Sequence, residues 1–197
     1  MRAIRLITIL VLSAALFGCS KMGNNGGGGS NSALSLTPAA RKVVAVVSRT
    51  QLLPNYLSCT GLPAENVSNA TREEVTNAAS KMAEEGNVDK ISAPMAMAFV
   101  KVGAEVCNDL ISYEADQDTR KFFMGFNIGG QGDNATADMS TSIRSLASAC
   151  WGRAPNSTEV NMIINNINST ALANDTNRNA ALYICTAVLG SSAAVKF

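Results

Sequence analysis

The stretch Ser92-Ala-Pro-Met-Ala-Met-Ala-Phe-Val-Lys-Val-Gly-Ala-Glu-Val-Cys-Asn-Asp-Leu110 decides the fold class. Its apolar residues recur every three or four positions, the period of a helix with one buried face. Those residues are Met95, Ala98, Phe99, Val102, Val106 and Leu110. Ser92 can cap the first turn, and Pro94 is tolerated there. The spacing therefore predicts a long amphipathic helix, with Cys107 beside its apolar stripe.

Two further helices are predicted on the N-terminal side of this segment. Thr37-Pro38 is typical of a helix start, and the apolar face continues to about Leu52, where Pro54 should end or kink the helix. Gly61-Leu62-Pro63 then predicts a turn. A second helix should begin at the capping box Thr71-Arg-Glu-Glu74 and end at Gly86-Asn87.

The C-terminal side predicts three more helices after the charged segment 114–120. One should run from about Thr136 to Trp151. The next should begin at Asn156-Ser-Thr-Glu159, which has the form of a capping box. Asp175 should cap the last helix, and Gly190 should end it. No segment alternates polar and apolar residues over five or more positions, so we predict an all-α domain of about six to seven helices.

The first eighteen residues have the pattern of an export signal. Arg2 and Arg5 precede an apolar run from Ile7 to Phe17, about half the length that a membrane-spanning helix needs. The run ends in Leu16-Phe17-Gly18-Cys19, which resembles the lipobox of bacterial lipoproteins. The resemblance implies cleavage before Cys19 and acylation of that cysteine, for example with palmitate, which anchors the chain in a membrane. Ser20, where enteric-type lipoproteins kept in the inner membrane have Asp, favours the outer membrane.

Three regions follow from this interpretation. Residues 1–18 are the signal peptide, and residues 19–36 are a lipidated Cys with a Gly/Asn/Ser tether that reaches roughly 20–25 Å. Residues 37–197 form the helical domain, which is long enough for one core. Loss of Arg2 and Arg5 leaves 14 basic against 15 acidic residues, and this balance argues against nucleic acid as a partner.

Four cysteines remain after Cys19, and in an oxidising compartment an even number predicts disulfides. They are Cys59, Cys107, Cys150 and Cys185. Three pairings are open. The first two cysteines and the last two each flank a turn, a capped helix and an apolar helix, so the chain resembles two repeated halves. This repeat favours Cys59–Cys107 and Cys150–Cys185.

Catalytic and metal-binding patterns are weak. The chain has no His, which removes the commonest general base and metal ligand. Asp133, Asn134 and Asp138 could supply oxygen ligands, and the glycines from Gly129 to Gly132 could bind an anion, but a turn-rich loop is favoured for both. We therefore predict no cofactor, no metal and no catalytic residue.

Two aromatic features have alternative interpretations. Phe122, Phe123 and Phe126 could form a binding patch, but their spacing favours core packing. Trp151 beside Arg153 could stack as a cation–π pair or cover a ligand, although a capping role at a helix junction is favoured.

A second resemblance is carried by short motifs in the region from Leu146 to Phe197. The motifs are Ala149, Trp151, Arg153, Pro155, Glu159-Val160 and Leu189-Gly-Ser-Ser192. They are similar to a helical module of bacterial surface proteins that often lies beside c-type cytochrome domains, although that module has Ser-Pro where this chain has Ser191-Ser192. The resemblance implies a helical architecture. It implies no haem site, because Cys-x-x-Cys-His is absent.

Together these features predict a lipid-anchored lipoprotein of the bacterial cell envelope. Its helical domain should bind an envelope protein or another envelope component and should not be an enzyme. One alternative is a ligand carrier or enzyme with a pocket between helices. The other is an accessory subunit of an electron-transfer assembly, which rests on the second resemblance alone.

Overall fold

The computed structural model describes residues 47–82, 91–128, 136–169, 176–191 and 194. The chain divides into two units, Met1–Arg41 and Lys42–Phe197, and every described residue lies in the second. Within these ranges the secondary structure is helical and contains no strand. The predicted all-α class is therefore confirmed.

Six α-helices and one short 3-10 helix make up the described part of the domain. The α-helices are α1 Leu52–Thr60, α2 Asn69–Ala79, α3 Ala93–Ala115, α4 Thr136–Trp151, α5 Ser157–Ser169 and α6 Asn177–Leu189. The 3-10 helix covers Ala64–Asn66 between α1 and α2. None of the described helices is long and apolar enough to cross a membrane.

The long helix α3 forms as its sequence predicts. The Ser92 hydroxyl accepts the backbone N–H of Met95 at 3.3 Å, and Pro94 lies in the first turn. The whole predicted apolar stripe is buried. α3 packs mainly against α6 and α2, so it forms one wall of the core.

The last helix, α6, lies at the centre of the bundle. It contacts α3, α4 and α5, and none of its residues is largely exposed. A helix with so little exposed surface must be mostly apolar, as α6 is from Ala180 to Leu189. Gly103 of α3 lets the two helices approach closely, because a Cβ built there would lie 3.3 Å from the Cβ of Leu189.

The start of α1 differs from the prediction. Residues 47–51 form a turn rather than a continuing helix, and Pro54 lies in the first turn of a new helix instead of ending one. The Gln51 side chain stabilises the turn, because its Oε1 accepts the Ser48 N–H at 3.3 Å and the Ser48 hydroxyl at 3.1 Å. Pro54 costs little there, since first-turn N–H groups have no partner within the helix. The predicted start at Thr37 lies outside the described residues.

Both ends of α2 also differ from the prediction. Ser68, not Thr71, is the cap: its hydroxyl accepts the Thr71 N–H at 3.2 Å. α2 ends at Ala79, before the predicted stop, because the Lys81 N–H turns back to the Ala78 carbonyl at 2.9 Å.

The predicted stop at Gly86-Asn87 and the predicted cap Asp175 lie outside the described residues. Thr176 caps α6, and its hydroxyl accepts the Asn179 N–H at 3.2 Å.

Candidate functional site

The disulfide Cys107–Cys185 lies inside the core. It joins α3 to α6, its Cα atoms are 5.6 Å apart, and both residues are fully buried. Cys107 lies beside Val106 on the face of α3 that packs against α6, and Cys185 follows Ile184 on α6. This disulfide therefore cross-links the two helices that share the most extensive packing in the bundle.

The disulfide Cys59–Cys150 lies nearer the surface. It joins the last turn of α1 to the last turn of α4, with Cα atoms 4.9 Å apart. Both cysteines are partly exposed at the edge of the core. The four predicted disulfide cysteines are thus all paired, one pair within the core and the other at its margin.

The predicted pairing of Cys59 with Cys107 and of Cys150 with Cys185 is wrong. That pairing assumes that each half of the chain closes on itself, whereas the two helices with the most extensive packing, α3 and α6, come from different halves. α6 from the second half packs on α3 from the first, and α4 packs on α1. The two disulfides therefore span 78 and 91 residues and interleave along the chain.

Trp151 and Arg153 lie at the junction between α4 and α5, and both have partners there. The indole Nε1–H donates to the Val188 carbonyl at 3.1 Å, and the Arg153 guanidinium lies 5.2 Å from the indole centroid. Arg153 also binds the Glu159 carboxylate through two hydrogen bonds, at 3.0 and 2.6 Å. The predicted capping role of Trp151 is confirmed by its bond to a carbonyl in the last turn of α6, and the alternative cation–π pair with Arg153 is formed as well.

The capping box at the start of α5 is formed as predicted. The Glu159 carboxylate accepts the Asn156 N–H at 2.8 Å, and the Asn156 side-chain oxygen accepts the Glu159 N–H at 2.9 Å. Hydrogen bonds from Arg153, and then from the Asn156 backbone, lower the pKa of Glu159 to about 2. One carboxylate therefore both caps α5 and fixes the arginine that covers Trp151.

Acid should weaken this junction in a defined range of pH. Because folding lowers the pKa of Glu159 from 4.5 to about 2, its contribution is fully present above pH 4.5 and is lost as the pH falls through about 2. We expect the free energy of unfolding of Glu159→Gln to lie below that of the wild type at neutral pH and to converge with it near pH 2. Urea titrations between pH 7 and pH 2 would measure this convergence. Arg153→Gln should reduce the same pH dependence, and parallel curves for wild type and Glu159→Gln would contradict the assignment.

Asp109 is a buried carboxylate that sequence reasoning did not single out. It is 7% exposed, and its Oδ2 accepts the Ser68 N–H at 2.9 Å and the Thr71 hydroxyl at 2.6 Å. A signal was present, since Asp109 follows Val106 by three residues and therefore shares the apolar face of α3. Partial burial raises the pKa of nearby Glu105, and the negative charges of Asp109 and Glu74 raise it further.

Glu114 is a second buried carboxylate, 3% exposed in the last turn of α3. Its two oxygens accept the backbone N–H groups of Phe122 and Phe123 at 3.0 Å each. These bonds fold the segment after α3 back onto the helix. Phe122, Phe123 and Phe126 are buried, so the prediction of core packing is confirmed and the patch interpretation is not.

Tyr56 is another residue whose role the sequence did not reveal. Its buried hydroxyl donates to the Leu189 carbonyl at 2.8 Å and lies 3.4 Å from the Phe99 carbonyl, so it ties α1 to the end of α6 and to the N-terminal part of α3. Burial raises the pKa of Tyr56.

We expect Tyr56→Phe to lower the free energy of unfolding by about 1–2 kcal/mol, because the Leu189 carbonyl loses its donor. Urea unfolding would measure this, with half-buried Tyr183→Phe as the control; equal effects of the two changes would contradict the role given to Tyr56.

Most of the remaining predicted residues lie outside the part of the chain that the structure describes. They are Cys19, the glycines from Gly129 to Gly132, Asp133 and Asn134. Asp138 lies in the first turn of α4, where its carboxylate would be 3.0 Å from a Cβ at Gly125. In the part of the chain that the structure describes, no group of three or more Cys, Asp or Glu side chains is placed to hold a metal ion.

Comparison with known proteins adds no family. The chain matches no family model, no curated protein and no solved structure. The likeness to the cytochrome-associated module therefore stays a prediction. Three motif residues of that module have structural roles at the α4–α5 junction, namely Trp151, Arg153 and Glu159.

Proposed function

We propose that the protein is a lipoprotein of the bacterial cell envelope, anchored in the outer membrane through acylated Cys19. One observation carries the proposal: four of the five cysteines pair in two disulfides, which leaves Cys19, the lipobox cysteine, as the single cysteine outside them. Disulfides persist in oxidising compartments, and export is what the signal in residues 1–18 provides.

We further propose that the helical domain binds an envelope protein or another envelope component and is not an enzyme. Support comes from the two buried carboxylates, Asp109 and Glu114, whose oxygens accept hydrogen bonds from the fold itself. Carboxylates used in this way stabilise the bundle and are not aimed at a substrate. The absence of His from the sequence is consistent with the same proposal.

The anchor can be tested by the mass of the protein extracted from membranes. The proposal predicts a chain that begins at Cys19 and carries acyl chains there. Cys19→Ser should lack the lipid and lose the cleavage before residue 19. An unmodified Cys19 in the membrane-extracted wild type, or a mature chain that begins elsewhere, would overturn the proposal.

The side of the envelope can be tested separately. In an enteric host, the wild type should fractionate with the outer membrane and Ser20→Asp with the inner membrane. Equal fractionation of the two would contradict the outer-membrane assignment without affecting the anchor.

Binding can be tested in intact cells with a photo-crosslinking residue at exposed Met97, Met124 or Met162, which lie on different elements. A binding domain should give a discrete adduct from one position and not from all three. No adduct at any position, with normal expression and folding, would count against a binding role.

A further inference from the structure

The two disulfides differ in how far a reagent can approach them. Cys107 and Cys185 are both 0% exposed, whereas Cys59 and Cys150 are partly exposed. Thiol–disulfide exchange requires a thiolate to approach a disulfide sulfur directly. A reductant can therefore reach the first pair only after the core opens, but it can approach the second in the folded protein.

The backbone around the exposed disulfide makes it more accessible. Cys59 and Cys150 are each the second-last residue of a helix, and each is followed two positions later by a glycine in the left-handed conformation. The glycines are Gly61, with φ +72°, and Gly152, with φ +64°. Both segments turn away directly after the disulfide. A Cβ built at Gly152 would meet no atom within 4 Å, whereas one built at Gly61 would lie 3.2 Å from Lys121 Nζ, so the open approach is on the Cys150 side.

We propose that Cys59–Cys150 is a thiol–disulfide exchange site that a dithiol reductant opens while Cys107–Cys185 stays closed. In the first step a thiolate attacks one sulfur, forms a mixed disulfide and releases the other cysteine as a thiolate, which takes up a proton. The second thiol of the reductant then attacks the mixed disulfide. Two electrons pass to the protein, which gains two thiols, and the reductant becomes a disulfide.

The helix ends indicate which kind of reductant this exchange needs. Both cysteines lie in the last turn of a helix, where the partial negative charge of the helix dipole disfavours a thiolate. Reactive cysteines of disulfide oxidants lie instead at helix N-termini, where the thiolate is stabilised. Neither released thiolate is therefore stabilised by its helix, so the exchange needs a dithiol, whose second thiol attacks the mixed disulfide and completes the reduction.

Contacts independent of Cys59–Cys150 hold α1 in place after the disulfide opens. The Tyr56 hydroxyl binds the Leu189 carbonyl, and Leu52 is buried in the core. Lys121 Nζ lies 3.5 Å from the Thr60 carbonyl at the end of α1. Reduction should therefore free the two thiols without unfolding the bundle. This exchange site does not depend on the lipid anchor.

Limited reduction of the full chain in mild detergent tests the proposal. Free thiols are blocked first, dithiothreitol is added, and samples are alkylated for peptide mapping over time. We expect Cys59–Cys150 to be reduced more than about tenfold faster than Cys107–Cys185, because the buried pair must wait for an opening of the core. Urea below the unfolding transition should accelerate only the buried pair. A smaller ratio, the reverse order, or loss of helical circular dichroism with the first disulfide would overturn the proposal.

Two further experiments compare reductants and provide a control that lacks the disulfide. Glutathione represents a small monothiol, and thioredoxin with its reductase represents a protein dithiol. Reduction by thioredoxin supports the site, and reduction by glutathione alone or by neither overturns it. Trp151, the single tryptophan, is adjacent to Cys150 and should report opening by a change in emission. In the matched double variant Cys59→Ala/Cys150→Ala, thiols should leave the emission unchanged while the helices stay folded.

Discussion

Replacing Cys107 and Cys185 together by alanine should lower the free energy of unfolding by about 4–5 kcal/mol. The disulfide spans 78 residues, for which the chain-entropy model gives about 4.5 kcal/mol. Whole domains are stable by about 5–15 kcal/mol, so the variant should stay folded without urea but unfold at a much lower urea concentration than the wild type. Urea unfolding monitored by circular dichroism would measure the loss. Alanine is the suitable replacement, because serine would bury an additional hydroxyl.

The double variant Cys59→Ala/Cys150→Ala is the matched control. Its disulfide spans 91 residues, so the entropic term is the same within a few tenths of a kcal/mol. Any further loss in the core variant then measures the packing of the buried sulfur atoms between α3 and α6. A core variant that loses less than about 2 kcal/mol would show that α3 and α6 hold together without their covalent link.

Glu114→Ala should be the most damaging single change at a charged residue, with an expected loss of about 3 kcal/mol. The substitution leaves the backbone N–H groups of Phe122 and Phe123 without acceptors in a buried position, and each unsatisfied group costs about 1–3 kcal/mol. We also expect amide hydrogen exchange at both residues to accelerate before the rest of the bundle changes. Urea unfolding and exchange rates would measure the two effects.

Two other substitutions on α3 serve as controls for Glu114→Ala. Glu114→Gln keeps one acceptor oxygen and should lose less than Glu114→Ala. Glu105→Gln removes a carboxylate whose pKa is raised by burial and by the charges of Asp109 and Glu74, so it should cause no loss. If Glu114→Ala were no more damaging than Glu105→Gln, Glu114 would not hold the segment after α3.

Features set by neighbouring residues could be predicted from the sequence. The spacing of apolar residues located α3, and Ser92 with Pro94 gave its first turn correctly. Asn156 and Glu159 form a capping box because both partners lie within one turn of the chain. Thr71 shows the limit of such local rules: it has the pattern of a cap, but Ser68 caps α2 and Thr71 binds Asp109 across the helix interface.

Features that depend on contacts between distant segments could not be predicted. The disulfide pairing follows from which helices pack together, and nothing near Cys107 in the sequence shows that its partner lies on α6. Tyr56 reaches Leu189 across 133 positions of the chain, so no local pattern reveals that bond. The sequence therefore identified the four paired cysteines but not which of them would meet.

The interleaved order of the two disulfides has a consequence for proteolysis. A single peptide-bond cleavage anywhere between Cys59 and Cys185 leaves the two pieces joined, because at least one disulfide always crosses the nick. Two cleavages are needed to release a fragment under oxidising conditions. Pairing within each half would instead have allowed one cut between Cys107 and Cys150 to divide the domain in two.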